Sequence, residues 1–451
     1  MTSSALISHA CDGLNGVIDI PGDKSVSHRA LILGGMATGT TRISGLLTGE
    51  DVLSTLGAVK ALGVSISTDP KTNDIFVDGV GTAGFISPDA PLDLGNAGTG
   101  VRLLMGAVAG QPVTAEFSGD ASLSVRPMRR ITDPLAKMGA QIAYLPEKAE
   151  KGFLPVSITG AAPVLALDYT TPVASAQIKS AIMLAALNAR GQTVITEPHI
   201  SRDHTESMLR HFGIEIDQKI LADGSHQVTL AGGTPLSAKD IVVPRDPSSA
   251  AFAIIAALIT PNSDIHLPAI SLNPQRTGLL TTLLEMGADI TITDERIEGG
   301  EKVGDLSVKS SQLSGIEVPA ERAASMIDEY PVLAIAAASA TGTTHMPGIA
   351  ELRVKETDRI ATTAAGLAAC GVDVAETKDS LSVTGTPDIA GGATINSSHD
   401  HRIAMSFLVL GMVSKTAITV TDIETIATSF PGFAELMNRA GAQMNLQGED
   451  R

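Results

Sequence analysis

The chain has 451 residues, 43% of them hydrophobic and 18% charged, with 3% aromatics, no tryptophan and a formal net charge of −17. That length requires two or more domains, the composition excludes a disordered chain, and the core has to be built from Ala, Leu, Ile, Val and Met. The negative balance argues against nucleic acid and anionic membranes as partners, so an anionic small molecule would need a locally basic pocket.

The N-terminus, MTSSALISHACDG, lacks the basic and apolar regions of a signal peptide, and no Ser/Arg-rich transit segment precedes the first strand. A cytoplasmic protein is therefore expected. Two cysteines, Cys11 and Cys370, make neither a disulfide framework nor a zinc site by themselves. The apolar runs, such as Ala250 to Ile259, are about half a membrane span.

A strand ending in Val17-Ile18-Asp19-Ile20 runs into PGDKSVSHR, Pro21 to Arg29, and then into an Ala/Leu-rich helix. From there the chain repeats itself. A helix-like stretch stopping at glycine and continuing as a strand occurs six times: ALGVSI (Gly63), KMGAQI (Gly139), HFGIEI (Gly213), EMGADI (Gly287), ACGVDV (Gly371) and RAGAQM (Gly441). The glycines are 76, 74, 74, 84 and 70 residues apart. Glycine suits the left-handed position that ends a helix, and the alternation after it suits a strand. Each unit also carries a nearly all-apolar helix, from SHRALILGGM in the first to RIAMSFLVLGM in the last, and a helix apolar all round is buried. Six such units predict an α/β architecture with helices inside and sheets outside, divided into two domains of three.

The predicted helices begin with polar clusters. Those of the apolar helices are Asp23-Lys24-Ser25, Asn96-Ala97-Gly98-Thr99, Ser175-Ala176-Gln177, Asp246-Pro247-Ser248-Ser249, Asp328-Glu329-Tyr330 and Asp400-His401-Arg402. Arg126 to Arg130, Ser201 to His204 and Lys355 to Arg359 precede second helices. Ordinary N-capping explains the hydroxyls and the Asp residues. It does not explain Lys24, Arg126, Arg202, Lys355, Arg359 and Arg402, because cations at helix N-termini oppose the dipole. An anionic ligand, itself attracted to unpaired N–H groups, resolves that conflict. His399-x-His401 lacks a third ligand cluster for a metal. No GxxxxGK[ST], no GxGxxG after a strand and no GxSxG is present.

With these segments in order, the chain resembles the 5-enolpyruvylshikimate-3-phosphate synthase family of enolpyruvyl transferases over essentially its whole length. The resemblance is carried by PGDKSVSHR (21–29), LGNAGTGVRLLMG (94–106), GDASLSVRPMRR (119–130), PVASAQIKSA (172–181), RDHTE (202–206), DEYPVLA (328–334), ELRVKETDR (351–359) and DHRIAMSF (400–407). It implies a two-domain inside-out α/β barrel, each domain three βαβαββ repeats, with buried helices. One domain would be discontinuous, residues 1–20 plus 244–451, with 21–243 inserted and the active site in the interdomain cleft.

The resemblance further implies that shikimate 3-phosphate is held by Lys24, Ser25, Arg29, Ser175, Gln177 and Arg202, with Asp328 and Lys355 on its hydroxyls. Phosphoenolpyruvate would lie against Lys24, Gly98, Arg126, Gln177, Arg359 and Arg402, where forked guanidinium groups match phosphate and carboxylate. Asp328, Glu356 and Lys24 are the candidates for proton transfer. No metal or organic cofactor is implied, and a monomer is expected.

Two departures stand out. Many family members carry a lysine just before the C-terminal (T/S)-F-P string, which here reads Ala427-Thr428-Ser429-Phe430-Pro431. That resembles the subgroup known for glyphosate-tolerant enzymes, yet those often have alanine where this chain has Gly98, so inhibition by glyphosate is expected. The related transferase acting on UDP-N-acetylglucosamine usually uses a loop cysteine, and neither Cys11 nor Cys370 lies in a matching loop. A non-catalytic anion-binding protein on the same scaffold would not need Asp328, Glu356 and Lys24 together.

Overall fold

The computed structural model describes residues 4–448, so the outermost ends of the expected domain ranges, 1–3 and 449–451, lie outside the described residues. The chain forms two compact units. One takes the chain up to Pro21, then Arg245–Arg296, and again from Lys302 onward; the other is Gly22–Pro244 together with Ile297–Glu301. Each has its own apolar core.

The inserted unit is built around three buried helices, Lys24–Met36, Gly98–Ala109 and Ala176–Ala186. Their apolar residues recur on every side, so no face could be left wet, and three sheets cover them. The sheets share one plan. Ile241–Val242, Leu92–Asp93 and Asp168–Thr170 run parallel to Thr38–Ser44, Thr114–Ser118 and Gln192–Glu197 respectively. Two further antiparallel strands complete each sheet. Strands such as Gln192–Glu197 alternate buried with half-exposed residues, which is the period that one covered face demands. Helices Gly98–Ala109 and Ala176–Ala186 approach so closely that a Cβ on Gly106 would stand 2.3 Å from the Ala181 carbonyl oxygen. Only glycine fits there.

The discontinuous unit repeats the plan around Pro247–Ile259, Tyr330–Ala338 and His401–Gly411. The N-terminal strand Ala5–His9 lies antiparallel between Ile418–Thr421 and Gln443–Leu446, and Asn15–Val17 runs parallel to Asp264–Ser271. The first twenty residues thus complete two sheets of the C-terminal half. The middle sheet has three strands, extended on its parallel edge by a bridge from Glu317 to His345.

The six repeat glycines all sit at positive φ: Gly63 +95°, Gly139 +104°, Gly213 +95°, Gly287 +93°, Gly371 +83° and Gly441 +124°. Five follow the last helical residue by two positions, and Gly441 itself caps the helix Phe433–Ala440. An L side chain is strained at such φ, which is why the motif announces itself in the sequence. Among the described residues no helix is long and apolar enough to cross a membrane.

Candidate active site

In the inserted unit, Asp23 caps the helix Lys24–Met36 by accepting from the Val26 N–H at 2.9 Å. Lys24 is therefore the first helical residue, and its ammonium is met by Asp51 at 2.7 Å. Ser25 offers its carbonyl to Arg29 Nη1 at 3.0 Å. Arg29 is 3% exposed and also donates to Thr205 Oγ1 at 2.7 Å and Ser180 Oγ at 3.0 Å. Burial pulls its guanidinium down to about 10, with Glu206 opposing, so it stays charged at neutral pH. The three hydrogen bonds fix the plane of a guanidinium that has five N–H donors.

Gly98 opens the helix Gly98–Ala109, and a Cβ there would lie 3.2 Å from Arg126 Nη1 and 3.3 Å from Arg102 Nη1. Arg126 donates to Asn96 Oδ1 at 2.8 Å and Ser122 Oγ at 3.1 Å. Gln177, in the first turn of Ala176–Ala186, accepts on one amide oxygen from Arg102 at 2.9 Å and Arg130 at 3.3 Å, and donates to Thr99 at 3.2 Å. Gly98, Arg126 and Gln177 are thereby gathered around the start of two buried helices. Ser175 is the N-cap of the second, its hydroxyl accepting from Ile178 N–H at a long 3.5 Å. Arg202 lies in the loop before His204–His211.

The discontinuous unit brings its candidates into one cluster. Arg359, 1% exposed, begins the helix Arg359–Ala369, capped by Asp358. Its Nε donates to Asp400 at 2.7 Å, Nη2 to Glu356 at 2.6 Å and Nη1 to Asp328 at 3.3 Å. Burial disfavours its charge, but Glu356, Asp400 and Asp328 together outweigh that and hold it far above the ordinary range. Lys355 Nζ stands 2.5 Å from Glu351 and 4.0 Å from Asp328. Arg402 donates to the Asp328 carbonyl at 3.2 Å and lies 3.8 Å from Glu329. Asp328, Lys355, Glu356, Arg359 and Arg402 thus form one contiguous network.

Part of the sequence argument needs revising. The cations that oppose helix dipoles were expected to be answered by a ligand, but Lys24 and Arg359 are partly answered by Asp51 and by three protein carboxylates. Several Asp residues are N-caps as well: Asp23, Asp246, Asp358 and Asp400 each accept a backbone N–H of their own helix. At the string lacking lysine, Thr428 turns its hydroxyl back onto the Thr425 carbonyl at 2.7 Å.

Sequence reasoning left out Arg102 and Asp51 and placed Asp400 only at a helix start, without a role in the site. Arg102 carried a signal, since it is an arginine within an otherwise apolar helix and is 4% exposed. Asp51 carried none, because it meets Lys24 from a different helix, Glu50–Ala61.

Comparison with known proteins gives the family. The family model described as EPSP synthase (3-phosphoshikimate 1-carboxyvinyltransferase) matches residues 9–437. The chain is 56% identical to the 3-phosphoshikimate 1-carboxyvinyltransferase of Methylorubrum extorquens, over 96% of this chain and 95% of the relative. It is 54% identical to that of Roseobacter denitrificans, over 97% of each. Among solved structures, EPSP synthase from Acinetobacter baumannii superposes with a TM-score of 0.89 at 46% identity, covering 98% of this chain and all of the other. The enolpyruvyl transferase NikO from Streptomyces tendae, at 16% identity and a TM-score of 0.77, shares the fold. The family model's match over residues 9–437, with relatives 54–56% identical over nearly the whole chain, shows that this chain belongs to the EPSP synthase family.

Proposed function

We infer that the chain transfers the enolpyruvyl group of phosphoenolpyruvate to the 5-hydroxyl of shikimate 3-phosphate and releases phosphate. Family membership over residues 9–437 supports the reaction. The observation that carries the site assignment is the Arg359 network, in which Asp328 and Glu356 share one buried guanidinium beside Arg402.

The substrate oxygen adds to C2 of phosphoenolpyruvate while C3 takes a proton and becomes a methyl group. The tetrahedral adduct then loses a proton from C3 and expels phosphate. This needs a base near the hydroxyl, an acid near C3 and fixed positive charge on the phosphate. Asp328 is assigned as the acceptor of the hydroxyl proton, with Glu356 and Lys24 serving C3. Arg126, Arg359, Arg402, Gln177 and the Gly98 backbone hold phosphoenolpyruvate. Ser25, Ser175, Gln177, Arg202 and Lys355 hold the other substrate. Arg29 is assigned chiefly to supporting Ser25. Lys24 belongs to one unit, and Asp328 and Glu356 to the other.

The enzyme is assigned as a monomer of the cytoplasm acting on small molecules; among the described residues no helix is long and apolar enough to cross a membrane. The test is phosphate release from phosphoenolpyruvate with and without shikimate 3-phosphate. Release that requires shikimate 3-phosphate is expected. Release with UDP-N-acetylglucosamine instead would overturn the substrate assignment.

A further inference from the structure

A buried ionic cluster in the inserted unit plays no part in the reaction scheme. Lys179, on Ala176–Ala186, and Glu197, ending the strand Gln192–Glu197, have fully buried side chains and lie 2.6 Å apart, Nζ to Oε1. Glu206, equally buried on His204–His211, stands 2.8 Å from the same ammonium. A buried ion pair with a second carboxyl beside it, that of Glu206, whose pKa burial raises, makes a poor stabilising device compared with apolar packing, so its presence asks for another reason.

That reason lies in what the two charges grip. Glu197 Oε1 accepts from the Ser201 N–H at 3.1 Å and Oε2 from the Ser201 hydroxyl at 2.7 Å, while Lys179 Nζ donates to the Ser201 carbonyl at 3.4 Å. Every polar group of the residue before Arg202 is therefore held by the pair. The loop 198–203 has no helix or strand of its own to fix it. At the other end, Lys179 lies one turn beyond Ser175 and two residues beyond Gln177 on the same helix. His226, on the neighbouring strand, places Nδ1 3.1 Å from Glu197 Oε1. These contacts outweigh burial and bring the Glu197 carboxyl down to about 2, so it is ionised throughout the working range of pH.

We propose that Glu197 is a positioning residue: through Lys179 and Ser201 it sets Arg202 in register with Ser175 and Gln177 for the phosphate-bearing ring substrate. The proposal rests on the substrate assignment above. An arginine on an unsupported loop would have to be ordered at each binding event, and holding the loop in advance removes that cost. The cluster therefore acts on affinity for one substrate rather than on chemistry.

The experiment is steady-state kinetics of the full chain, with calorimetric binding of shikimate 3-phosphate, for wild type, Glu197→Gln, Ser201→Ala and Ser201→Thr. Glu197→Gln is expected to raise KM for shikimate 3-phosphate about tenfold, with KM for phosphoenolpyruvate and kcat within about twofold. Ser201→Ala is expected to raise the same KM several-fold, and Ser201→Thr, which keeps the hydroxyl, to restore it. An unchanged KM, a parallel rise in both KM values or a fall in kcat alone would overturn the proposal. If Glu197→Gln fails to fold by circular dichroism, the Ser201 pair decides, and identical Ala and Thr variants overturn it. A wild type that does not bind shikimate 3-phosphate removes the ligand assigned to Arg202, and the proposal falls with that reading. Tight binding by wild type and variants alike sinks the proposal alone.

Discussion

The two units carry their candidate residues in contrasting company. Around Arg359 three carboxylates, Asp328, Glu356 and Asp400, converge on one buried guanidinium. Around Gln177 two guanidinium groups, Arg102 and Arg130, converge on one neutral amide oxygen. The first arrangement is an excess of acid around one cation. The second sets two guanidinium groups on one oxygen, a local concentration of positive charge in an acidic chain. The lesson is a difference in sign: carboxylates dominate the cluster around Arg359 and guanidinium groups the one around Gln177. Lys24 is a third case, a single cation at a helix start met by one carboxylate, Asp51 at 2.7 Å.

Breaking the comparison from the acid side gives the largest effect. Asp328→Asn keeps shape and hydrogen bonding but removes the base, so kcat is expected to fall about 10²–10⁴-fold while both ligands still bind, as calorimetry would register. An equal loss of binding would make Asp328 a residue that holds the substrate's hydroxyls rather than the base. Removing the shared cation with Arg359→Leu leaves three carboxylates facing one another. Breaking a buried pair in this way costs about 3–5 kcal/mol, which a thermal melt would record as a fall in Tm together with lost turnover. A melt unchanged from wild type would show that Arg359 does not hold the cluster.

The inserted unit is probed more gently. A methyl at Gly98 would press on Arg126 and Arg102 at 3.2 and 3.3 Å, closer than most Cβ contacts. Gly98→Ala is expected to weaken competitive inhibition by glyphosate about tenfold, about 1.4 kcal/mol, with a smaller rise in KM for phosphoenolpyruvate. Wild-type turnover indifferent to glyphosate, and unaltered by the methyl, would contradict this. The smallest effect concerns the thiols. Burial pushes Cys370 up to about 11 and also raises Cys11, so neither is a thiolate near neutral pH. Iodoacetamide at pH 7.5 is expected to leave activity intact, and rapid inactivation would reopen the reading in which a cysteine takes part.

Much of this was legible in the sequence, and what was not has a physical cause. The six helix-stop glycines were visible because positive φ excludes other residues, and all six have it. The buried helices were visible because their residues are apolar on every side. The candidate site was legible only as separate segments at helix starts. Arg359 and Asp400 are 41 residues apart, and Arg102 and Gln177 are 75 apart, so their contacts depend on which helices the repeats bring together. Glu197 gave even less warning. A lone acid ending a strand is ordinarily solvated, and nothing local marks it as the partner of Lys179 and Ser201. The parallel edge strands were hidden for the same reason: Ile241–Val242 closes a sheet begun some two hundred residues earlier.

The most direct test of the central claim is the fate of solvent deuterium at C3. If the substrate oxygen adds to C2 while C3 is protonated, C3 passes through a methyl group whose hydrogens lose their identity. Wild type turning over phosphoenolpyruvate and shikimate 3-phosphate in D₂O is expected to place deuterium at C3 of the product's enolpyruvyl group. Mass spectrometry should find that incorporation reduced in step with turnover in Lys24→Met and Glu356→Gln. Product formed with no deuterium at C3 would contradict the addition–elimination account and the roles given to both residues.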